Sequence, residues 1–331
     1  MMHNLNFNIN HFKFLSFTFS CFLCLSILIL FNDSSTQNKK LPQMSAEPYG
    51  KLDINDRHIN KVTKLYVSNE PKFLTKDLED VFNQNDYNYE TIIKYKKVPN
   101  LYIASLPEDF FKISSSSKKK SLFVRSILPL IVKENDKIKT LNNKINFLKN
   151  NFSKIRRNDA LWLHKMMLSY KVNTNLVDDL LIKVDIIPVS IALGQAAIES
   201  GWGTSRFAME GNALYGQWSW KTGSGIVPKN RSDNESYEIR SFLSLSNSVA
   251  SYMKNLNTHQ NYENFRVNRN LLREHNIAVT GSYLYKYLDK YAIDSNYSDT
   301  LKKIIDSNKF EAFENVEIKF IDADPQLLNL T

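Results

Sequence analysis

The spacing of apolar residues along the chain predicts a mainly helical protein. Between residues 117 and 152, apolar side chains recur every three or four positions, which is the period of one helix face. Pro129 lies inside this stretch and should kink or split the helix, because proline lacks the N–H that a helical hydrogen bond needs. The same period predicts further helices at residues 161–170, 176–182, 188–199, 244–256, 284–291 and 297–305.

One region departs from the helical period. Turn-forming residues follow Gly223, and residues 237–240 then alternate between apolar and polar side chains, which predicts a small β-hairpin. A weaker signal indicates a short strand at residues 64–67. The predicted fold class is therefore mainly α (α+β), a helical domain with a small β-hairpin lobe.

The N-terminal segment is almost wholly apolar from residue 14 to residue 31, with Lys13 before it and Asn32 after it. Such a length is the lower limit for spanning a bilayer, at about 18 residues. No small-x-small cleavage site follows the segment, so an uncleaved signal anchor is favoured over a cleaved signal peptide. Both readings predict a protein of the cell envelope. It would work on the periplasmic or extracytoplasmic face, anchored to the inner membrane by residues 14–31.

The predicted domain organisation follows from these patterns. After the signal anchor or signal peptide of residues 1–31, residues 32–97 are a polar linker and a poorly assigned region. Residues 98–157 are a helical lead-in to the principal domain, which is predicted at residues 158–310. Residues 311–331 are predicted to be a C-terminal tail.

Composition excludes several kinds of site. The net charge of +9 favours an anionic partner, but the basic residues are scattered and no nucleic-acid motif is present. Both cysteines, Cys21 and Cys24, lie in the apolar N-terminal segment, so the remainder has no disulfide and no thiolate nucleophile. The 6 histidines form no metal-binding pair. We therefore expect neither a metal nor a cofactor.

The segment from Gln195 to Gly203 carries the principal chemical signal. On a helix Gln195, Glu199 and Trp202 would share one face, and Gly201 would end that helix. A carboxyl at a helix C-terminus faces the negative end of the dipole, and burial beside Trp202 would raise its pKa further. A raised pKa suits a general acid that protonates a glycosidic oxygen. The alternative is a solvated glutamate at an ordinary helix end.

Several motifs together resemble the glucosaminidase domain of glycoside hydrolase family 73, in which the motif at residues 195–203 carries the catalytic glutamate. Asn247 departs from the pattern, since that position is often acidic in the family. The resemblance covers roughly residues 98–308. Further similar motifs lie at residues 211–216, 240–252 and 290–301, and segments at 119–138, 225–228 and 255–266 resemble the Bax-protein subgroup.

This resemblance implies a lysozyme-like helical domain that hydrolyses peptidoglycan. The implied reaction is that of an endo-β-N-acetylglucosaminidase, which cleaves β-1,4 bonds next to N-acetylglucosamine with Glu199 as general acid. Tyr291 matches the family's active-site tyrosine, which would orient the substrate or stabilise charge. Its alternative role is in the core, because it closes an apolar stripe. The implied partners are peptidoglycan glycan strands and, through residues 14–31, the membrane.

A second carboxylate is harder to assign. Many glycosidases use two carboxyl groups about 5 to 9.5 Å apart. The family pattern places an acidic residue in the β lobe, which favours Glu235 or Glu238 by position, although either could be a solvated hairpin residue. An N-acetyl sugar can also supply its own acetamido oxygen as nucleophile, so a single glutamate remains an open alternative.

Five residues are predicted to bind substrate, by stacking on sugar faces or by lining the groove. For Trp218 and Tyr262 the alternative is a packing role. Other functions compatible with the same sequence are a lytic transglycosylase, an amidase acting on peptidoglycan and an inactive membrane-tethered wall-binding module. The predicted substrate-binding residues are Gln195, Trp202, Tyr215, Trp218 and Tyr262.

Overall fold

The computed structural model describes residues 73–232 and 234–319. The apolar segment at residues 14–31 and the short strand predicted at residues 64–67 lie outside that part of the chain. Within it, none of the helices combines the length and apolar character needed to cross a membrane. The described residues form a helical body with two small sheets, which confirms the mainly helical prediction.

The region left unassigned before residue 97 is folded from residue 73 onward. Two helices, α1 (Thr75–Gln84) and α2 (Tyr89–Tyr95), lead into strand β1 (Lys97–Pro99). β1 pairs in parallel with strand β5 (Glu317–Lys319). The predicted C-terminal tail therefore contributes a strand to the fold. A three-residue strand shows too little periodicity to be detected, and its partner is more than 200 positions away in sequence.

Helix α3 (Ser116–Asn150) runs through Pro129 without a break. The predicted split is wrong because another group replaces the hydrogen bond that proline cannot make. Pro129 leaves the carbonyl of Arg125 without its helical donor, and the hydroxyl of Tyr87 donates to that carbonyl at 3.1 Å. Residues on either side of the proline are fully buried, so packing also holds this turn in place.

Helix α6 (Val189–Ser200) lies at the centre of the fold and is buried over most of its length. Gly194 lets helix α11 (Tyr297–Ser307) approach closely, because a Cβ there would lie 2.7 Å from Leu301 Cδ1. The remaining α-helices are α4 (Arg157–Ser169), α5 (Val177–Lys183), α7 (Arg206–Gly211), α8 (Leu245–Thr258), α9 (Glu263–Glu274) and α10 (Gly281–Leu284). Short 3-10 helices lie at Phe110–Lys112, Phe152–Lys154, Gln260–Tyr262, Tyr285–Leu288 and Phe310–Phe313.

The carboxylate of Glu314 caps the N-terminus of α6. It accepts hydrogen bonds from the backbone N–H of Val189 at 3.0 Å, and from the N–H and hydroxyl of Ser190 at 3.1 and 2.6 Å. A negative charge is favourable at this end of the helix dipole. Glu314 lies beyond the predicted domain boundary at residue 310, so the segment read as a tail anchors the central helix.

A three-stranded antiparallel sheet forms the β lobe. Its strands are β2 (Trp218–Ser219), β3 (Gly225–Ile226) and β4 (Glu238–Arg240), with β4 in the middle. The predicted β excursion is therefore present, with one strand more than a hairpin. Glu238 and Ile239 are both buried, so the expected alternation of inward and outward side chains does not hold. Gly225 is required by close strand contact, because a Cβ there would lie 2.1 Å from the Ile239 carbonyl oxygen.

Candidate active site

Glu199 lies in the last turn of α6 and is half-buried. Gly201 ends the helix in the left-handed region at φ +57°, which glycine adopts without strain. Trp202 follows with φ +57° and donates its backbone N–H to Ala197 O at 2.9 Å. Trp202 is therefore outside the helix, and the prediction that it shares a helical face with Glu199 is wrong. Two successive left-handed residues turn the chain away.

A chain of hydrogen bonds leads to the carboxylate of Glu199. The hydroxyl of Tyr297 donates to Glu199 Oε1 at 2.8 Å. Gln195 Nε2 donates to the Tyr297 hydroxyl oxygen at 3.0 Å, and the Tyr252 hydroxyl donates to Gln195 Oε1 at 2.7 Å. Because Tyr297 accepts from an amide N–H, its own proton is directed to Glu199. This arrangement fixes Oε1 as a hydrogen-bond acceptor.

The other carboxylate oxygen of Glu199 faces the loop between α7 and β2. A Cβ at Gly216 would lie 3.3 Å from Glu199 Oε2, and Gly216 has φ +59°. The hydrogen bonds that hold this loop include those from Leu214 N to Ser248 Oγ at 3.1 Å and from Asn212 Nδ2 to Phe242 O at 3.1 Å. Since Oε1 accepts from Tyr297, the proton of the acid form belongs on Oε2.

Burial raises the pKa of Glu199 above its ordinary value of 4.5, because the charged form loses hydration. The hydrogen bond from Tyr297 favours the charged form and opposes that effect, but it is the smaller of the two. The carboxyl group therefore keeps its proton to a higher pH than an exposed glutamate does. This is the protonation behaviour that a general acid requires.

Five tyrosines surround this network, and we call them the tyrosine cluster. The rings of Tyr215 and Tyr252 stack at 3.8 Å, and those of Tyr291 and Tyr297 stack at 5.4 Å. Tyr262 is 6.0 Å from Tyr291, and burial raises its pKa to about 12. The five phenols are neutral at physiological pH, since burial raises every one of their pKa values. Their rings pack beside the network that ends at Glu199.

Tyr297 is a candidate functional residue that the sequence pattern does not identify. Its spacing from Leu301 and Ile305 had indicated only a core position on α11, and its side chain is indeed buried. The hydroxyl of Tyr291 instead donates to the backbone carbonyl of Tyr215 at 3.0 Å, and its ring supports that of Tyr297. A catalytic role for Tyr291 stays a prediction. The late motif contains both tyrosines, and only their three-dimensional placement distinguishes them.

Most of the residues predicted to contact sugar are buried. Gln195 is 0% exposed and its amide bonds two tyrosines, while Tyr215 and Tyr262 are 2% and 6% exposed. These side chains are therefore buried beneath the site and support it by hydrogen bonding and packing. Trp202 is half-buried and packs against Phe123 and Phe310, at centroid distances of 5.9 and 6.1 Å. By contrast, Trp218 is 51% exposed. It is the predicted contact whose ring is most available.

The two candidates for a second carboxylate have different environments. Glu238 is buried, and its oxygens accept from the backbone N–H groups of Gly223 at 2.9 Å and Gly225 at 2.8 Å. This carboxylate holds the turn between β2 and β3. Glu235 is exposed. Neither side chain is part of the hydrogen-bond network that ends at Glu199, and a role for either as the second carboxylate stays a prediction.

Comparisons with known proteins identify the family of this chain. The family model described as mannosyl-glycoprotein endo-beta-N-acetylglucosaminidase matches residues 174–310, which contain Glu199 and the tyrosine cluster. Protein bax of Escherichia coli (strain K12) is 33% identical over 198 residues, covering 57% of this chain and 69% of that protein. The catalytic domain of the autolysin Auto from Listeria monocytogenes aligns with 17% identity and a TM-score of 0.26, over 52% of this chain and 86% of that structure. This chain belongs to the glucosaminidase family and is a relative of protein bax.

Proposed function

We propose that this protein is a peptidoglycan hydrolase of the endo-β-N-acetylglucosaminidase type, with Glu199 as general acid. The observation that carries the proposal is the environment of Glu199. Its carboxyl is half-buried, its pKa is raised by burial, and one oxygen is held by Tyr297. The other oxygen lies against a glycine. The matched family's description supports the choice of an N-acetylglucosaminyl bond.

The proposed reaction begins with proton transfer from Glu199 Oε2 to the glycosidic oxygen. The bond between C1 and that oxygen then breaks, and the leaving sugar departs as an alcohol. Tyr297 remains hydrogen-bonded to Oε1 and stabilises the carboxylate that forms. Water finally adds its hydroxyl to C1 and returns its second proton to Glu199.

We further propose that the substrate's own acetamido oxygen attacks C1 during bond cleavage. The support is that both oxygens of Glu238 are bonded to backbone amides, while Glu235 is exposed to solvent. A nucleophile within the sugar makes a second enzyme carboxylate unnecessary, and some glycosidases use this route. Water then opens the resulting ring with the help of the Glu199 carboxylate.

Replacing Glu199 with glutamine tests the proposal. The expected loss is about 10²- to 10⁴-fold in the release of reducing ends from purified peptidoglycan, which is the usual contribution of a general acid. The Glu274→Gln variant is the matched control and should retain activity, because Glu274 is an exposed glutamate at the end of α9. Circular dichroism would show that both variants fold. Full activity in Glu199→Gln would refute the assignment.

Mass spectrometry of the digests separates the alternatives. Glucosaminidase products end in reducing N-acetylglucosamine, whereas a lytic transglycosylase leaves 1,6-anhydro ends and an amidase releases peptides. Binding to cell walls without any product would identify an inactive wall-binding module.

We also propose that the enzyme acts outside the cytoplasm, because its substrate is there and residues 14–31 are apolar enough for export. A reporter enzyme that is active only after export, fused behind residue 60, would test this. Activity that disappears on deletion of residues 14–31 is the expected result, and unchanged activity would contradict it.

A further inference from the structure

Three aromatic rings form an exposed group on the β lobe, and we call it the aromatic platform. Trp218 is 51% exposed and Trp220 is 67% exposed. The ring of Tyr237 stacks on that of Trp218 at 4.4 Å, with 15° between the planes. Trp220 contacts both rings edge-on at 6.1 Å. Aromatic side chains normally bury most of their area, so a group of three at the surface indicates a binding site.

The pairing of β2 with β4 explains why these rings meet. Trp218 lies opposite Ile239 and Ser219 lies opposite Glu238. The same register, continued by one step, brings Trp220 opposite Tyr237. Because residues two apart on a strand point to the same face, both tryptophans and Tyr237 share one side of the sheet.

The backbone beneath the platform is held firmly. Glu238 follows Tyr237 directly and binds the amides of Gly223 and Gly225. Arg231 Nη1 donates to the Tyr237 carbonyl oxygen at 3.0 Å. These bonds hold the backbone that carries the rings before a ligand binds. Binding therefore orders little additional protein structure, and the loss of conformational entropy is smaller.

The platform continues directly from the acid. Gly216 lies against Glu199 Oε2, and Trp218 follows two residues later. Their Cα atoms are thus separated by at most about 7 Å. The ladder bond from Arg240 N to Gln217 O, at 2.8 Å, keeps this short connection on the edge of the sheet. The backbone that carries Trp218 therefore lies close to Glu199.

We propose that the aromatic platform is a distal subsite that stacks on a sugar of the glycan strand beyond the bond being cleaved. This inference rests on the proposed function and deepens it, since it assigns Trp220 and Tyr237 to substrate binding and predicts a preference for long strands. A pyranose ring presents C–H groups on its faces and hydroxyls at its edge. It can stack on an aromatic ring while its hydroxyls stay hydrated. A short oligomer that fills only the cleavage position gains nothing from these rings.

The test measures binding in the Glu199→Gln background, where cleavage does not interfere. Calorimetry would compare N-acetylglucosamine oligomers from six sugars down to the shortest that binds. Adding Trp220→Ala should weaken the six-sugar oligomer about 3- to 10-fold, the effect of losing one aromatic contact, and leave the shortest one unchanged. Tyr95→Ala is the matched control, because Tyr95 is a 58% exposed aromatic residue on α2.

Three results would overturn the inference. If Trp220→Ala weakened the affinity for all oligomers equally, Trp220 would belong to the cleavage position. If it left every affinity unchanged, the platform would have no role in glycan binding. If Trp220→Ala no longer bound anionic phospholipid vesicles but kept its affinity for glycan, the platform would be a membrane contact. If the Glu199→Gln protein bound no glycan of any length, the proposed function itself would fail. That outcome can be distinguished, because it is measured in the Glu199→Gln protein before Trp220→Ala is added.

Discussion

The tyrosine cluster and the aromatic platform use the same kind of side chain in opposite environments. Around Glu199 the rings are buried or half-buried, and the hydroxyls of Tyr297 and Tyr252 belong to a network that ends on a carboxylate. On the β lobe two tryptophans expose half or more of their surface. The first group sets the protonation and orientation of one acid. The second offers ring faces to a ligand.

This difference shows that an aromatic residue near an active site need not contact substrate. Tyr215 and Tyr262 looked like sugar-binding residues in the sequence, yet both are buried beneath the site. They pack within the tyrosine cluster beside the network of Glu199, whose pKa is raised by burial. Trp218 and Trp220 lack that burial and cannot tune the carboxyl in the same way. Variants of the tyrosine cluster should therefore change catalysis and stability, whereas variants of the aromatic platform should change glycan binding.

The largest effect in this comparison is expected from Tyr297→Phe. The variant loses a hydrogen bond to the carboxylate, so kcat should fall about 10- to 100-fold. Because this bond lowers the pKa of Glu199, its removal should also move the alkaline limit of activity to higher pH. A pH–rate profile measures both changes.

Tyr291→Phe is the control for that experiment, since its hydroxyl donates to a backbone carbonyl instead. It should leave the alkaline limit in place. A larger loss of kcat in Tyr291→Phe than in Tyr297→Phe would reassign the role to Tyr291.

Within the tyrosine cluster, Tyr252→Phe should lower the free energy of unfolding by about 1 to 3 kcal/mol, because Gln195 Oε1 would be left buried without its donor. Tyr215→Phe is a matched control from the same stacked pair. Among the described residues its hydroxyl has no hydrogen-bond partner, so its removal should be nearly neutral. Urea unfolding of both variants measures the difference, and equal losses would contradict the network.

The burial of Glu199 should also appear in the pH dependence of stability. Its folded pKa lies above the ordinary 4.5, so its favourable contribution is complete below about pH 4.5 and is lost as pH rises through the folded pKa. Glu199→Gln avoids that loss. We expect this variant to melt at a higher temperature than the wild type at pH 7, with the difference diminishing toward pH 4.5. A difference of the opposite sign would show that burial does not control this carboxyl.

The smallest effect is expected on the aromatic platform. Trp220→Ala should change the free energy of unfolding by no more than about 0.5 kcal/mol, as exposed positions usually do. The ring is 67% exposed, so its removal leaves no buried cavity. A loss above 2 kcal/mol in urea unfolding would mean that the ring stabilises the β lobe, and the contrast with the tyrosine cluster would disappear.

Much of the helical body was predictable because its apolar residues repeat at the helical period. The end of α6 at Gly201 was also readable, since it depends on a local residue preference. Predictions from local patterns were wrong where a residue distant in sequence made the deciding hydrogen bond. Tyr87 replaces the hydrogen bond missing at Pro129, and Glu314 caps a helix that begins 125 positions earlier.

The sequence by itself determined the position of Glu199, the glycine that ends its helix and the family to which both belong. The first two lie in one continuous segment, and the family shows in several motifs that are each continuous, so residue type and spacing are sufficient. Only the tertiary structure decided which tyrosine reaches the acid, which aromatic rings remain at the surface and what holds Glu238. Each of those outcomes depends on side chains brought together from separate helices and strands. Hydrogen bonding and burial act between neighbours in space, and a one-dimensional pattern does not record them.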